Sequence, residues 1–206
     1  RHSERSEEYV EKLVELRGRK GVTYEEARRR IESRLDYSLM ALKLGHVDGV
    51  VCGMSRHYND ALRPTLQIIG LREGFSRAAS MHMVIHRRRA VFFADTTVNL
   101  EQDSETLAEV AIECANKVRA LGIEPRVAML SFSNFGSSSH RLSKKVSKAV
   151  EIVRKNRPDI PVDGEMQASF ALDPALRQKH FPFSTLEGDA NVLVFPSLES
   201  SNIAFK

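Results

Sequence analysis

The sequence predicts an α/β fold with a mostly parallel sheet and helices on both of its faces. Helical patterns and short apolar runs alternate through the second half of the chain. Each late apolar run is unbroken, which is typical of strands buried on both faces of a parallel sheet. With 206 residues, 42% of them hydrophobic, the chain is long enough for one sizeable domain or two small ones.

The first elements are helical. Residues 4–17 predict an amphipathic helix, and Thr23 followed by Glu26 forms a capping box that opens a second helix. This second helix is expected to run to about Leu44, where Gly45 supplies a stop signal.

The next segment, residues 46–70, contains a strand pattern followed by a helical pattern. The run "DGVVCG" at 48–53 predicts a short buried strand, and a helical pattern follows at 59–70, with Pro64 in its early part, where a missing N–H costs little. We therefore expect a helical N-terminal segment over residues 1–45 and an α/β domain over residues 46–206.

The remaining elements alternate in the same way. Strands are predicted at 81–86, 90–95, 126–130, 160–164 and 191–196, with helices at 104–121, 140–156 and 165–179. The helix at 104–121 begins after Asp103 and stops at Gly122.

Charge and hydropathy exclude two classes of partner. The net charge of +4 and the arginine triplets at 28–30 and 87–89 raise the possibility of nucleic-acid binding. No aromatic interleaving accompanies them, so we interpret the triplets as a solvated helix face and an exposed hairpin tip, and expect no nucleic-acid partner. No apolar run approaches the roughly 20 residues of a membrane span, and no signal sequence opens the chain, so no membrane partner is expected either.

Cysteine and histidine usage predicts a reduced protein without a metal site. Cys52 and Cys114 lie among apolar residues without CxxC spacing, so both are interpreted as core residues of a cytoplasmic protein. The histidines at 57, 82, 86, 140 and 180 show no metal-ligand spacing. The chain opens on Arg1 inside a helical pattern and stops at Lys206 just after a turn, so we expect it to be cut from a longer protein.

A polar loop follows the strand at 126–130, where the next helix begins. It contains Ser131, Ser133, Asn134, Gly136, Ser137 and Ser138. Hydroxyls and the free N–H groups of a helix start hold oxyanions and phosphates, but the same residues also make ordinary turns and caps. The loop matches neither the Walker A nor the Rossmann glycine pattern, so its residues alone leave both interpretations open.

Three further polar loops are predicted at the same edge of the sheet. They contain Asp95, Thr96, Thr97 and Asn99; Asp163, Gly164 and Glu165; and Ser197, Ser200, Ser201 and Asn202. Loops at the carboxyl ends of parallel strands are where such folds bind ligands, so four of them favour a site.

Five segments carry a family resemblance. In order along the chain, "LRPTLQIIG", "ADTTVN", "EPRVAMLSFSNFGSS", "RPDIPVDGEMQ" and "ANVLVFPSLESSNIAFK" resemble the motifs of the phosphotransacetylase (phosphate acetyl/butyryltransferase) family, from about Gly45 to Lys206. Within that family, "RHYNDALRPTLQIIG" and "SNFGSS" look most like the phosphotransacetylase-like C-terminal domain of bacterial NADP-dependent malic enzymes.

The resemblance implies a two-part α/β fold of the isocitrate/isopropylmalate dehydrogenase type, incomplete at both ends here. It also implies a homodimer or higher homo-oligomer that binds coenzyme A and acyl phosphate in a cleft. The family's base-like aspartate and its serine–arginine partner lie beyond the "NIAFK" motif. This chain is therefore expected to lack the family's C-terminal segment, and no catalytic residue is assigned in it.

The resemblance also implies a set of residues that bind acetyl-CoA, CoA or phosphate. These are Arg63, Asn99, Ser131, Ser133, Gly136, Ser137, Ser138 and Lys206, together with Tyr58, Asp163 and Glu165. Arg63 would hold phosphate by a bidentate fork and Lys206 as a point charge.

Several of these residues have a second interpretation. Arg63 could instead pair with Asp60 or Asp48, and Lys206 could be a frayed end. Asp163 and Glu165 could form an acid/base pair. Alternatively, Asp163 accepts loop N–H groups while Glu165 lies in the first turn of a helix, where the helix dipole favours it.

Two departures from the family pattern bear on function. Free-standing phosphotransacetylases usually carry a hydroxyl pair where this chain has His57 and Tyr58, and a threonine–lysine-like pair where it has Asn134 and Phe135. Together with the missing segment, these departures favour regulation over catalysis.

Three functions are therefore open. The favoured one is an acetyl-CoA-binding regulatory domain of a malic enzyme, whose N-terminal domains would carry NADP and a divalent metal. The second is a fragment of an active phosphate acetyltransferase. The third is an assembly domain that binds no ligand.

Overall fold

The structure is a computed structural model that describes residues 5–71, 73, 77–86, 89–100 and 102–206. The chain forms two compact units, Arg1–Ser76 and Arg77–Lys206. We call them the helical unit and the sheet unit and describe each by itself.

The helical unit is built from four α-helices within its described residues: α1 (Arg5–Arg17), α2 (Tyr24–Ile31), α3 (Arg34–Lys43) and α4 (Tyr58–Ile68). Apolar residues from all four form its core, including Leu13, Ile31, Leu39 and Ile68. The Thr23 hydroxyl accepts a hydrogen bond from Glu26 N–H at 3.2 Å, so the predicted cap of α2 is confirmed.

The predicted second helix is two helices. Ser33 has extended backbone (φ −71°, ψ 126°) and separates α2 from α3. The interruption lets Ile31 and Leu35 both enter the core, while Arg30 donates to Asp36 Oδ1 at 2.8 Å across the bend.

The predicted strand at 48–53 is wrong. This segment forms no strand, the Val51 side chain is fully exposed, and Cys52 is exposed rather than buried in a core. An isolated strand needs neighbours to pair with, and the described residues of the helical unit contain none.

The boundary between the units falls after Ser76, later than the predicted division at 45/46. The reason is α4, which packs on α3 and α1 and buries Ile68 in the helical core. Pro64 lies in the middle of α4 rather than early in it.

The sheet unit contains five strands within its described residues: β1 (Met81–His86), β2 (Arg89–Ala94), β3 (Val127–Leu130), β4 (Val162–Met166) and β5 (Val192–Val194). Its helices are α5 (Ser104–Ala120), α6 (Arg141–Asn156), α7 (Ala168–Leu172), α8 (Pro174–His180) and α9 (Leu198–Phe205). The hairpin tip predicted at 87–89 includes residues 87 and 88, which lie outside the described residues.

The strands form one sheet in the order β1-β2-β5-β3-β4. β1 pairs with β2 antiparallel, and every other pairing is parallel. The predicted mostly parallel α/β fold is therefore confirmed.

Alternate residues of the strands enter two separate cores. Val127, Met129, Val192 and Val194 face the core that contains α5 and α6. Ala128, Leu130 and Leu193 face the core that contains Ala171 of α7 and the loop around Leu186. Both faces are covered, which explains why these strands are apolar without interruption.

The predicted helix at 165–179 starts later and is split. β4 continues to Met166, so Glu165 lies on a strand and not in the first turn of a helix. Gly164 has φ +135° on this strand, and a Cβ there would lie 2.6 Å from the Met129 carbonyl oxygen, so only glycine fits.

Candidate functional site

The carboxyl edge of the sheet brings polar loops together. β2, β5, β3 and β4 are parallel neighbours, so their carboxyl ends lie along one edge. The loops after β2, β5 and β3 are therefore adjacent, as predicted. The fourth loop begins only at Gln167, because Asp163, Gly164 and Glu165 lie within β4.

The serine loop, residues 131–140, satisfies most of its own donors. Ser138 N–H donates to Ser133 Oγ at 3.0 Å, and Asn134 N–H donates to Ser137 Oγ at 3.0 Å. Ser133 N–H donates to Ser131 Oγ at 3.3 Å. The loop is a self-bonded turn, with fewer open donors than its sequence suggests.

A carboxylate of the same chain fills the interior of this loop. Glu165 is 1% exposed, and its Oε1 atom accepts hydrogen bonds from Ser133 Oγ at 3.0 Å and Gly136 N–H at 2.7 Å. Its Oε2 atom is buried and has no hydrogen-bond partner in the described part of the chain. Sequence reasoning brought Glu165 to this edge but did not find its position inside the loop.

Phe135 fixes the turn of the loop. Its backbone is left-handed (φ +46°), and its N–H donates to the Glu165 carbonyl at 2.8 Å. Its ring lies 4.9 Å from that of Phe181 and 5.1 Å from that of Phe183. The aromatic side chain of Phe135 therefore packs within its own unit.

Gln167, the residue after β4, also makes hydrogen bonds to the serine loop. Gln167 N–H donates to Asn134 Oδ1 at 2.8 Å, and the Gln167 side chain donates to the Phe132 carbonyl at 2.9 Å. Asn134 is therefore engaged in structure rather than presented to a ligand.

The loop after β2 is built around buried Asp95. Its Oδ1 accepts from Ser80 N–H at 2.9 Å and from the Ser80 hydroxyl, and its Oδ2 accepts from Asn99 N–H at 2.9 Å. Ser201 Oγ, from α9, donates to the Asp95 carbonyl at 2.7 Å. Ser80 is an organising residue that sequence reasoning missed, because nothing in its local pattern indicates a contact 15 residues away.

Asn99 is committed to the same cluster. Its side-chain amide donates to Asp95 Oδ2 and to the Ala78 carbonyl at 2.8 Å, so both of its N–H donors are used. Asn99 also lines a shallow groove of about 650 Å³ with Arg77, Gln102 and Asp103. Only its side-chain oxygen remains for a ligand.

Lys206 lies near the β1/β2 end of this edge. The Phe205 ring is 3.9 Å from the His82 ring, and Lys206 Nζ is 5.8 Å from the Phe205 ring centre. Burial, and then the positive charge of Lys206, lower the pKa of His82. Lys206 N–H donates to the Asn202 carbonyl at 3.2 Å, which continues the α9 backbone pattern.

Asp163 has the structural role that one of its two interpretations expects. It accepts hydrogen bonds from Gly164 N–H, Thr185 N–H and Ser184 Oγ, and it pairs with Arg154 at 2.6 Å. Asp163 and Glu165 do not contact each other in these bonds, so the structure gives no support to an acid/base pair.

The helical unit carries the other cation. Arg63 lies on α4 along a shallow groove of about 470 Å³, which Asp60, Leu66 and Gln67 also line. No ion pair joins Arg63 to Asp60 or Asp48 among the described residues, so the competing interpretation is not supported. Tyr58 is the first residue of α4 and is 47% exposed.

Arg17, at the end of α1, was not considered from the sequence. Its Nε–H group is buried without a partner among the described residues. A buried guanidinium N–H without a partner is costly to the fold.

Within the described ranges, no group of three or more His, Cys, Asp or Glu side chains is arranged to hold a metal ion. In the same ranges, no helix has both the length and the apolar character that crossing a membrane requires.

The fold and its edge define an α/β protein whose carboxyl edge is lined by hydroxyl groups, backbone N–H groups and buried carboxylates. The chain belongs to the phosphate acetyl/butaryl transferase family, which it matches over residues 1–206. The resemblance noted in the sequence is thereby confirmed.

Relatives of two kinds are equally similar to the chain. It is 40% identical to the NAD-dependent malic enzyme of Rhizobium meliloti, over 97% of this chain and 26% of the relative. It is also 40% identical to the phosphate acetyltransferase of Bacillus subtilis, over 97% of this chain and 62% of the relative. Among solved structures, EutD phosphotransacetylase from Staphylococcus aureus superimposes with a TM-score of 0.88 and 37% identity, covering 98% of this chain and 62% of that one.

The chain therefore spans about a quarter of the malic enzyme and less than two thirds of the acetyltransferase. Sequence identity therefore does not distinguish a malic enzyme domain from part of a phosphate acetyltransferase.

Proposed function

We propose that this chain is an acetyl-CoA-binding regulatory domain of a malic enzyme, without acyltransferase activity of its own. The parent protein would oxidatively decarboxylate malate to pyruvate with NADP. NADP and a divalent metal would bind in the N-terminal domains of that parent. The domain would assemble as a homodimer or higher homo-oligomer in the cytoplasm.

One observation carries this proposal. The serine loop, which faces the phosphate side in the family, is closed around Glu165, and Phe135 packs its ring against Phe181 and Phe183. An enzyme that transfers an acyl group from phosphate to a thiol needs cations for the phosphate and donors for the developing oxyanion. Phe135 packs its ring inside its own unit and supplies no cation at this position of the loop, which suits binding better than turnover.

Family membership supports a ligand of this class. Ser131, Ser133, Gly136, Ser137, Ser138 and Asn99 lie along the carboxyl edge of the sheet unit, with Lys206 at its β1/β2 end. These residues form the proposed binding set of the sheet unit, in which Ser133, Gly136, Asp163 and Glu165 act as supports. Arg63 and Tyr58 are proposed separately as the candidates of the helical unit.

A second candidate is an active phosphate acetyltransferase, of which this chain would be a part. The observation in its favour is the match to Bacillus subtilis phosphate acetyltransferase, which equals the match to the malic enzyme.

Calorimetric titration of the chain with acetyl-CoA tests the proposal. We expect saturable binding, because the sheet unit carries hydroxyls and Lys206 and the helical unit carries Arg63, and groups of these kinds bind anions. Desulfo-CoA is a matched ligand that cannot accept an acyl group, and it should bind comparably if the domain is only a sensor.

Two results would contradict the proposal. Retained oligomers with no acetyl-CoA binding would leave only an assembly role. Robust formation of acetyl phosphate from acetyl-CoA and phosphate by the intact parent protein would instead favour the acetyltransferase.

A further inference from the structure

The serine loop encloses an anion that belongs to its own chain. Glu165 Oε1 accepts from a hydroxyl, Ser133 Oγ, and from a backbone amide, Gly136 N–H. Hydroxyls and amides just before a helix are the donors that proteins use to hold oxyanions. Because Glu165 is 1% exposed, its carboxylate lies inside the loop rather than at its mouth.

The backbone of the loop bends around this carboxylate. Phe135 has φ +46°, a conformation that a bulky residue adopts only when its surroundings hold it there. Two contacts hold it: the Phe135 N–H bond to the Glu165 carbonyl, and the ring packing against Phe181 and Phe183. The next residue, Gly136, thereby aims its N–H at Glu165.

The carboxylate is held through one oxygen only. Oε1 receives both hydrogen bonds, while Oε2 is buried without a partner among the described residues. A separate small carboxylate that offers one oxygen to the same two donors would reproduce this arrangement.

We propose that Glu165 is a positioning residue: an internal anion that occupies the inner donors of the serine loop and presets the loop for binding. An external ligand then meets the N–H groups of Ser139 and Arg141, which make no hydrogen bond to a described residue. The identity of that ligand rests on the function proposed above, whereas the role of Glu165 within the loop does not.

Chemical rescue tests this role. Glu165→Ala removes a CH₂–COO⁻ group, which is close to an acetate ion, and leaves a cavity beside Ser133 and Gly136. We expect the variant to melt at a lower temperature than the wild type. Added acetate should raise its melting temperature saturably, because the ion restores the lost acceptor. Chloride at equal ionic strength should not.

Two matched proteins control for general salt effects. The wild type has its inner donors occupied, so acetate should not shift its melting temperature. Glu187→Ala removes an exposed glutamate of the same unit and should show no acetate-specific rise.

Ligand binding supplies a readout that a merely structural role would not move. Without acetate, Glu165→Ala should bind acetyl-CoA roughly tenfold more weakly than the wild type, because its loop must be ordered on binding. Saturating acetate should restore most of that affinity, measured against wild type in the same acetate buffer.

Each outcome of these experiments either supports or overturns the proposed role of Glu165. A folded Glu165→Ala protein without an acetate-specific rise would overturn the internal anion. If the variant folds neither with nor without acetate, hydrogen exchange of the Gly136 amide in the wild-type protein tests the proposal instead. Hydrogen exchange slowed roughly a hundredfold or more supports the proposal, and exchange at an unprotected rate overturns it. Wild-type protein that fails to bind acetyl-CoA would remove the proposed function, and the rescue experiment would still decide the role of Glu165.

Discussion

Two buried carboxylates organise the carboxyl edge of the sheet residue by residue. Asp95 and Glu165 each accept hydrogen bonds from backbone N–H groups and hydroxyls of the loops around them. A buried carboxylate without such donors is strongly unfavourable, so each one fixes the loop that surrounds it. The edge is thus shaped by internal anions, and Lys206 is its candidate cation for a ligand.

Arg63 is the residue on which ligand binding should depend most directly. Replacing it with alanine removes a guanidinium from an exposed groove of α4 and keeps a good helix former. Since a hydrogen bond to a charged group contributes about 1.5–3 kcal/mol, we expect at least roughly tenfold weaker binding of acetyl-CoA by calorimetry.

Arg28→Ala is the matched control for this variant. Arg28 is an exposed arginine of α2 in the same unit, so its loss removes the same charge away from the groove. Circular dichroism should show both variants folded. Equal affinities of Arg63→Ala and wild type would exclude Arg63 from the site.

Part of this residue-level picture could be predicted from the sequence. The pattern of "SFSNFGSSS" placed the hydroxyls and the glycine at the carboxyl end of a strand, and the topology agrees. It could not show that Glu165, 29 residues after Gly136, fills the same loop, because that contact depends on how β4 lies beside β3.

At the scale of elements, helix α5 has a charged N-cap residue, Asp103. Asp103 Oδ1 accepts a hydrogen bond from Thr106 N–H at 2.8 Å at the start of this helix. The hydrogen bonds from Thr106 lower the pKa of Asp103. A carboxylate at a helix N-terminus is also favoured by the helix dipole.

Asp103→Ala should therefore cost stability in a way that depends on pH. Near neutral pH we expect the free energy of unfolding to fall by about 1 kcal/mol, the usual loss for an N-cap. Because the folded-state pKa is lowered, the contribution is present above the unfolded-state pKa and disappears as pH falls through the folded-state value. The gap between variant and wild type in urea unfolding should close on acidification.

Ser197→Ala provides a cap without charge for comparison. Ser197 Oγ accepts from Ser200 N–H at the start of α9, and a hydroxyl does not titrate in this range. Its cost should stay constant with pH. An Asp103→Ala cost that also stays constant would show that the charge of Asp103 contributes nothing.

Element prediction succeeded where local signals agreed with packing. Asp103 and Gly122 bracket α5 as predicted, because a cap and a stop are local in the chain. The strand predicted at 48–53 failed because a β-branched apolar run still requires a neighbouring strand, and Val51 and Met54 are fully exposed instead.

At the scale of the whole molecule, each unit carries one cysteine in a different environment. Cys52 of the helical unit is exposed, whereas Cys114 of the sheet unit is 4% exposed, in the core behind β1 and β2. Burial raises the pKa of the Cys114 thiol to about 12. Since the thiolate is the reactive form, the two thiols should differ greatly in reactivity.

A thiol reagent at pH 8 should therefore react quickly with one cysteine per native chain. The second should react only as the sheet unit unfolds in urea, so its rate reports the stability of that unit. Cys52→Ser should remove the fast phase, and Cys114→Ala should leave it intact. Two fast thiols in the native chain would contradict the buried position of Cys114.

The position of β5 has a consequence for how the chain acquires its fold. Phe92 of β2 pairs with Val192, so β5, the last strand in the sequence, lies between β2 and β3 in the middle of the sheet. During synthesis from the N-terminus, the β1–β2 hairpin and the β3–β4 pair must wait as separate halves with open edges until residues 192–194 emerge. Contacts of such long sequence separation form slowly, and open edges invite aggregation. Emergence of residues 192–194 is thus the step that joins the two halves into one sheet.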